Sequence, residues 1–144
     1  MIAMFLFRLF FVFVVVLTFA TRSKADIIPN IIAIRIIVSE GADQGLKGMI
    51  CIAEVLRLRA SIRGFYGYKS NNMNNQPKPV WEMAAKAWEE SAHTNYTKGA
   101  DHFENIHQFG KPWWAKYCVK TYEFKDHVFY KEVRPHIAFK RPHE

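Results

Sequence analysis

The stretch SEGADQGLKGMICIAEVLRLR, residues 39–59, decides the fold. The glycines Gly41 and Gly45 near its start predict a break in the regular structure just before a helix. From Leu46 to Ser61 the apolar residues recur at helical spacing, which predicts a firm helix. Its expected apolar stripe is Met49, Ile52, Val55, Leu56 and Leu58, and its expected outward residues are Lys47, Glu54, Arg57 and Arg59. The carboxyl group of Glu40 stands just before the break.

The residues that lead to Glu40 are rich in isoleucine. The stretch IIPNIIAIRIIVS, Ile27–Ser39, has an apolar content that fits a helix, and its β-branched residues equally fit a buried strand. Pro29 and Asn30 are typical of a helix start, with Asn30 as the capping residue. Either element would deliver Glu40 at its end.

The residues after the central helix predict a loop, a second clear helix and a hairpin. Gly64–Pro79 is rich in Asn, Gly and Pro, which is typical of a long loop. Val80–Ala92 has Trp and Ala residues at helical spacing. Val119–Phe124 and His127–Glu132 can pair as a hairpin around Lys125-Asp126. The fold class expected is therefore α+β: a small, mainly helical domain with a short β-hairpin.

The two ends of the 144-residue chain differ from its middle. Met1–Ala20 is almost entirely apolar, and after Arg8 its unbroken apolar run has the length of a signal-peptide core. Residues 1–25 are therefore predicted to be a signal peptide, or an N-terminal anchor held by the basic residues that follow the run. Residues 26–133 are predicted to form one domain, and residues 134–144 a basic tail. We expect an exported protein of the periplasm or cell envelope, with membrane contact only through the N-terminal segment.

The charge balance is mildly basic. The whole chain carries a net charge of +7, and without residues 1–25 it has 17 basic against 13 acidic residues. That balance suits an anionic polymer such as a cell wall, or an anionic membrane surface. The basic residues are scattered, so nucleic acid is not an expected partner. Cys51 and Cys118 could form one disulfide in an exported chain, although Cys51 equally fits a buried thiol on an apolar helical face.

Glu40 is the first candidate for an active acid. A carboxyl group at the edge of an apolar wall has its ionised form destabilised, so its pKa rises. The partial negative charge of a helix C-terminus acts in the same direction. A raised pKa would let Glu40 hold a proton near neutral pH and donate it to a leaving group. The alternative is an ordinary, solvated residue at a helix end.

A second group of candidates lies in GADHFENIHQFGKPWWAKYCVKTYEFKDHVFY, residues 99–130. The candidate substrate-binding residues here are His102, Glu104, Asn105, Trp113, Trp114, His127 and Tyr130. Sugar rings present apolar faces and polar edges, so a carbohydrate groove needs flat aromatics beside hydrogen-bonding side chains. His102 and Glu104 would face the same side if their segment is extended. The alternative is that Trp113, Phe129 and Tyr130 belong to the core and His127 is a satisfied turn residue.

Together the two stretches resemble the spore cortex-lytic (SleB-like) cell wall hydrolase family. The first part of the resemblance is Glu40-Gly41-Ala42 followed by a helix that begins Gly48-Met49. The second part is Gly99-Ala100, Phe103, Asn105, Pro112, Trp114, His127, Phe129 and Tyr130, in the order and at separations similar to those of the family. The resemblance covers roughly residues 31–131.

This resemblance implies a lysozyme- or transglycosylase-like fold in which a helix delivers Glu40. It implies cleavage of peptidoglycan glycan strands between N-acetylmuramic acid and N-acetylglucosamine, without a metal or other cofactor. Glu40 would protonate the glycosidic oxygen and then act as the base of a lytic transglycosylase, which leaves 1,6-anhydro ends. The chain departs from the family at Gln44, which stands where a second acid is usual and could still bind substrate. Lys125 replaces the glycine before the late histidine.

Two other functions fit parts of the sequence. His102, Glu104 and His127 could bind zinc in a metal-dependent peptidoglycan amidase, although the pattern is loose. The lost acid at Gln44 would fit a non-catalytic relative that binds the wall. The oligomeric state is not predicted.

Overall fold

Three helices form the larger layer of the computed structural model, which describes residues 28–133. They are α1 (Asn30–Gly41), α2 (Gly45–Arg59) and α3 (Lys78–Glu90). The isoleucine-rich stretch is therefore a helix, not a strand. The predicted signal peptide or anchor, 1–25, and the predicted tail, 134–144, lie outside the described residues.

The break between α1 and α2 is where the glycines predicted it. Gly41 is the last residue of α1, and Gly45 opens α2 with a φ of +70°, a conformation that glycine adopts without strain. The start of α1 differs from the prediction. Its cap position is Pro29, and the side chain of Asn30 instead accepts a hydrogen bond from Nε1 of Trp88 at 2.9 Å, which ties α1 to α3.

The central helix α2 is buried on nearly every side, from Gly48 to Leu56. One face packs on α1 and α3, and the opposite face packs on the sheet through Cys51 and Val55. The predicted outward position of Glu54 is therefore wrong, since only 7% of it is exposed. The predicted inward position of Leu58 is also wrong, because 56% of that residue is exposed near the end of the helix.

The segment between α2 and α3 is largely irregular, as predicted, but it contains two 3₁₀ turns. These are Gly67–Lys69 and Asn71–Asn75. Phe65 and Met73 from this segment are buried in the helical core, so the loop is held against the helices. This packing fixes the position of the neighbouring residues that border the groove described below.

A three-stranded antiparallel sheet forms the second layer, with strand order β1-β3-β2. The strands are β1 (His102–Asn105), β2 (Cys118–Phe124) and β3 (His127–Glu132). The predicted hairpin is confirmed, since Phe124 pairs with His127 across the two-residue turn. β1 adds to the other side of β3, with His102 opposite Tyr130. The α+β fold class is thus confirmed.

Short helical pieces connect the strands. A four-residue helix α4, Ile106–Phe109, follows β1, and a 3₁₀ turn, Trp113–Tyr117, precedes β2. Within residues 28–133 no helix combines the length and apolar character required to cross a bilayer. The thiols of Cys51 and Cys118 are free and belong to different apolar clusters, so the structure contains no disulfide between them.

Candidate active site

A groove of about 670 Å³ runs between the helical layer and the sheet. We call its two sides the helical wall and the sheet wall. The helical wall consists of Glu40, Arg59, Gly64, Phe65 and Tyr66. The sheet wall consists of His102–Asn105, Phe109, Pro112–Trp114 and His127. The groove therefore brings together the two stretches that the sequence analysis singled out.

Glu40 lies in the last turn of α1 and is half-buried in the helical wall. Ser39 Oγ donates a hydrogen bond to Glu40 Oε1 at 3.4 Å. Burial raises the pKa of the Glu40 carboxyl above its ordinary value of 4.5, the Ser39 hydrogen bond opposes that rise, and the negative charge of Glu104 adds to it. The environment thus shifts the pKa of Glu40 in the direction that the sequence analysis predicted.

Glu104 is the second carboxyl group of the groove. It is half-buried on β1, and its Oε1 accepts a hydrogen bond from the backbone N–H of Asn105 at 3.1 Å. Burial raises the pKa of Glu104, and the hydrogen bond from Asn105 opposes the rise. The sequence analysis assigned Glu104 to substrate binding and missed that it lies beside Glu40, because the two residues are 64 positions apart and meet only through the fold.

His102 is held in the sheet wall by a stack of contacts. Its Nδ1 lies 2.8 Å from Oδ1 of Asp101, an atom that also accepts the backbone N–H of Glu132. Burial tends to raise the pKa of Asp101, but the hydrogen bonds from His102 and Glu132 and the nearby imidazole outweigh it, so the pKa is lowered. The His102 ring packs 5.0 Å from the Trp114 ring. Asp101 therefore fixes how His102 is presented to the groove.

Exposed aromatic side chains border the groove on both sides. The exposed fractions are 44% for Trp113, 69% for Phe109 and 65% for Tyr66. Large exposed aromatics that converge on one groove are typical of ligand-binding surfaces. Trp113 is thus a groove residue, and the alternative that placed it in the core is wrong.

His127 lies at the base of the sheet wall, where it is 6% exposed. Phe103 meets its ring edge-on at 5.3 Å between centroids. Burial lowers the pKa of His127, against the opposing effect of Asp43 and Asp126, so the neutral imidazole is favoured. A neutral imidazole can accept or donate one hydrogen bond to a ligand in the groove.

Two predicted substrate-binding residues lie outside the groove. Gln44 is only 2% exposed and donates from Nε2 to Oδ1 of Asp43 at 2.8 Å and to Oδ2 of Asp126 at 3.5 Å. It therefore ties the α1–α2 turn to the tip of the hairpin. Tyr130 is buried and meets the Trp114 ring edge-on at 5.4 Å. Its position on the sheet places it behind Trp114, which it supports.

The sequence analysis missed two residues of the helical wall. Arg59, expected to point outward, lies over the ring of Phe65 at 5.0 Å, and its burial lowers its pKa while Asp101 opposes the change. The position of Arg59 on α2 could not indicate that the loop containing Phe65 folds against it. Tyr66 did have a signal, because an aromatic residue within a Gly- and Asn-rich loop is a common feature of binding loops.

Among residues 28–133, no three His, Cys, Asp or Glu side chains converge into a group able to hold a metal ion. His102, Glu104 and His127 share the groove but do not form such a group. The metal-amidase alternative therefore has no ligand set in this part of the chain.

Comparison of the whole chain with known proteins gave no relative: no family model matches, and neither does any curated protein or solved structure. Function is therefore inferred from the groove and from the motif resemblance.

Proposed function

We propose that this protein cleaves the glycan strands of peptidoglycan at the bond between N-acetylmuramic acid and N-acetylglucosamine, with Glu40 as the acid. One observation carries the proposal: a carboxyl group with a raised pKa lies in a groove whose opposite wall is built from aromatic and hydrogen-bonding side chains. The motif resemblance to the SleB-like cell wall hydrolases points to the same substrate. The domain would then be a lysozyme- or transglycosylase-like fold.

The chemistry starts with the proton on Glu40. Glu40 donates it to the glycosidic oxygen as the bond to the muramic C1 breaks, through a transition state that resembles an oxocarbenium ion. Burial keeps Glu40 protonated at a pH where an ordinary glutamate would be ionised, so a proton is present when the leaving oxygen needs it.

The sheet wall supplies binding. Trp113 and Trp114 offer flat apolar surfaces to the C–H faces of sugar rings, and His102 and Asn105 offer hydrogen-bonding groups to the sugar edges. The exposed ring of Tyr66 faces the groove from the helical wall, so a sugar chain in the groove would contact aromatic residues on both sides.

The lytic transglycosylase route requires the fewest catalytic groups, because one glutamate acts first as the acid and then as the base. After the glycosidic bond breaks, the ionised Glu40 takes the proton of the muramic C6 hydroxyl, and that oxygen closes on C1 to give a 1,6-anhydro end. Glu40 thus returns to its protonated form within one turnover. No cofactor takes part, and the setting is the cell envelope.

The test uses purified sacculi and mass spectrometry of the released fragments. Wild-type protein is expected to release muropeptides with anhydro ends, and Glu40→Gln is expected to lower the rate about 10³-fold, because the proton donor is lost. Glu89→Gln, on the exposed side of α3, is the matched control and should cleave like the wild type. Circular dichroism checks that both variants fold.

Two results would contradict the proposal. Undiminished release by Glu40→Gln would remove Glu40 as the acid. Binding of the wild-type protein to sacculi without any released fragment would favour the non-catalytic wall-binding relative that the substitution at Gln44 suggested.

A further inference from the structure

We infer that Glu104 is a second catalytic residue of this reaction, whose ionised carboxylate stabilises the positive charge that develops on the sugar while Glu40 donates its proton. The inference rests on the proposed function and extends it, because the sequence offered only one acid for the chemistry. The second acid that the family usually carries is replaced by Gln44 in this chain, and we assign its role to Glu104 on β1.

The position of Glu104 in the fold supports this role. Glu104 and His102 are two residues apart on β1 and so lie on the same side of the strand, which carries the aromatic stack with Trp114. Glu40 reaches the groove from the end of α1, on the opposite wall. Both carboxyl groups therefore line the space that a bound sugar ring would occupy.

The charges of the two carboxyls fit this division. Burial raises the pKa of Glu40, and the negative charge of Glu104 adds to that rise. A carboxyl that holds a proton beside a second, ionised carboxyl is the usual arrangement for an acid and a stabilising anion.

No other ionisable group that lines the groove, apart from Glu40 and Glu104, can act as the stabilising anion. The other groups are Arg59 and Tyr66 on the helical wall and His102 and His127 on the sheet wall. None of them is a carboxylate, since Tyr66 is a phenol and the remaining three are bases. Asp43, the acid closest in sequence to Glu40, does not line the groove and holds Gln44 by a hydrogen bond instead.

The experiment compares Glu104→Gln and Glu104→Asp with the wild-type protein on sacculi. Glu104→Gln keeps an oxygen that can accept the Asn105 N–H, so β1 should stay intact. We expect kcat to fall about 10²-fold with KM nearly unchanged, because a charge aimed at the transition state is lost. Glu104→Asp keeps the charge and should recover part of the rate, and Glu89→Gln again serves as the control.

Two pH-dependent readouts accompany the rates. Without the Glu104 charge the pKa of Glu40 should fall, so the alkaline limb of the rate should move to lower pH. The same fall should be seen in the titration of the ¹³C-labelled Glu40 carboxyl by NMR, which does not require turnover. An acid-side limb that reports ionisation of Glu104 should disappear in Glu104→Gln.

The outcomes separate this inference from the proposed function. If the wild-type protein cleaves sacculi but Glu104→Gln keeps its kcat within about twofold, or leaves the Glu40 titration unchanged, the inference is wrong and the proposed function stands. If the wild-type protein releases no fragments, the proposed function fails and takes the inference with it.

Discussion

The two walls of the groove are supported in different ways. The helical wall rests on one large apolar cluster that joins α1, α2 and α3, and its buried residues include Ile36, Ile37 and Leu56. The sheet wall rests on two small clusters and on ring-to-ring contacts such as His102 with Trp114. Glu40, the proposed acid, thus lies on the wall with the larger core, and the proposed binding surface lies on the wall held by local contacts.

Under the proposed function, this difference matches the separate requirements of proton donation and sugar binding. A proton donor needs a fixed, partly dry position, which a large core provides because close packing resists displacement. A surface that stacks on sugar rings tolerates small shifts, so a few aromatic contacts suffice. Substitutions in the helical core should therefore unfold the protein, whereas substitutions of the aromatic residues in the sheet wall should weaken binding while the fold persists.

A substitution that breaks the link between the two walls should have the largest effect, on the free energy of unfolding. Glu54 of α2 accepts hydrogen bonds from the backbone N–H groups of Tyr96 and Thr97 at 2.9 and 2.8 Å, and from Oγ1 of Thr97 at 2.7 Å. These residues lie on the segment that leads into β1. Glu54→Ala leaves two buried Thr97 donors and one partly buried Tyr96 donor without an acceptor, and it should lower the free energy of unfolding by about 3 kcal/mol.

Urea unfolding measures this effect, and two other variants sharpen it. Glu54→Gln keeps one oxygen acceptor and should cost less than Glu54→Ala. Glu89→Ala, on the exposed side of α3, should change the free energy of unfolding by no more than about 0.5 kcal/mol. A loss below about 1 kcal/mol for Glu54→Ala would mean that the two walls are joined in some other way.

The helices and the hairpin could be predicted from sequence because their signals are local. Periodic apolar residues and the glycines at 41 and 45 determine α1 and α2 within a few positions. The inward position of Glu54 could not be predicted, because the segment that covers it comes from residues 96–97. Its carboxylate looked solvated only because sequence spacing does not report what lies on the far side of a helix.

The next largest effect is expected from a substitution in the sheet wall, and it concerns substrate affinity. Trp114 lines the groove, whereas Tyr130 lies behind it. Trp114→Ala should raise KM for sacculi about tenfold, since stacking on one sugar is worth about 1 kcal/mol or more. Tyr130→Phe keeps the supporting ring and should leave KM within about twofold. Equal increases in the two variants would show that Tyr130 touches the substrate, as the sequence analysis proposed.

The site was predictable only in part, for a physical reason. Glu40, Trp113 and Trp114 are recognisable because each stands beside a local signal, such as a glycine break or a proline. The approach of Glu104 to Glu40 and the position of Arg59 depend on how β1 packs against the helices, which no window of sequence contains. Gln44 was misplaced for the same reason, since its partner Asp126 lies 82 positions away.

The smallest expected effect is a gain in the stability of the protein when Glu40 of the helical wall is replaced by Gln. In the unfolded chain Glu40 ionises near its ordinary value of 4.5, and in the folded protein it ionises at higher pH. As the pH rises through this window the unfolded chain releases its proton first, so the folded wild-type protein loses stability. Glu40→Gln does not titrate there, and its thermal midpoint should exceed that of the wild type by an amount that is absent below pH 4.5, grows through the window and is constant above it. Thermal unfolding at a series of pH values, with Glu89→Gln as the control, measures the difference. A difference that does not grow with pH would mean that the carboxyl at position 40 is solvated, and the helical wall would then hold an ordinary surface acid.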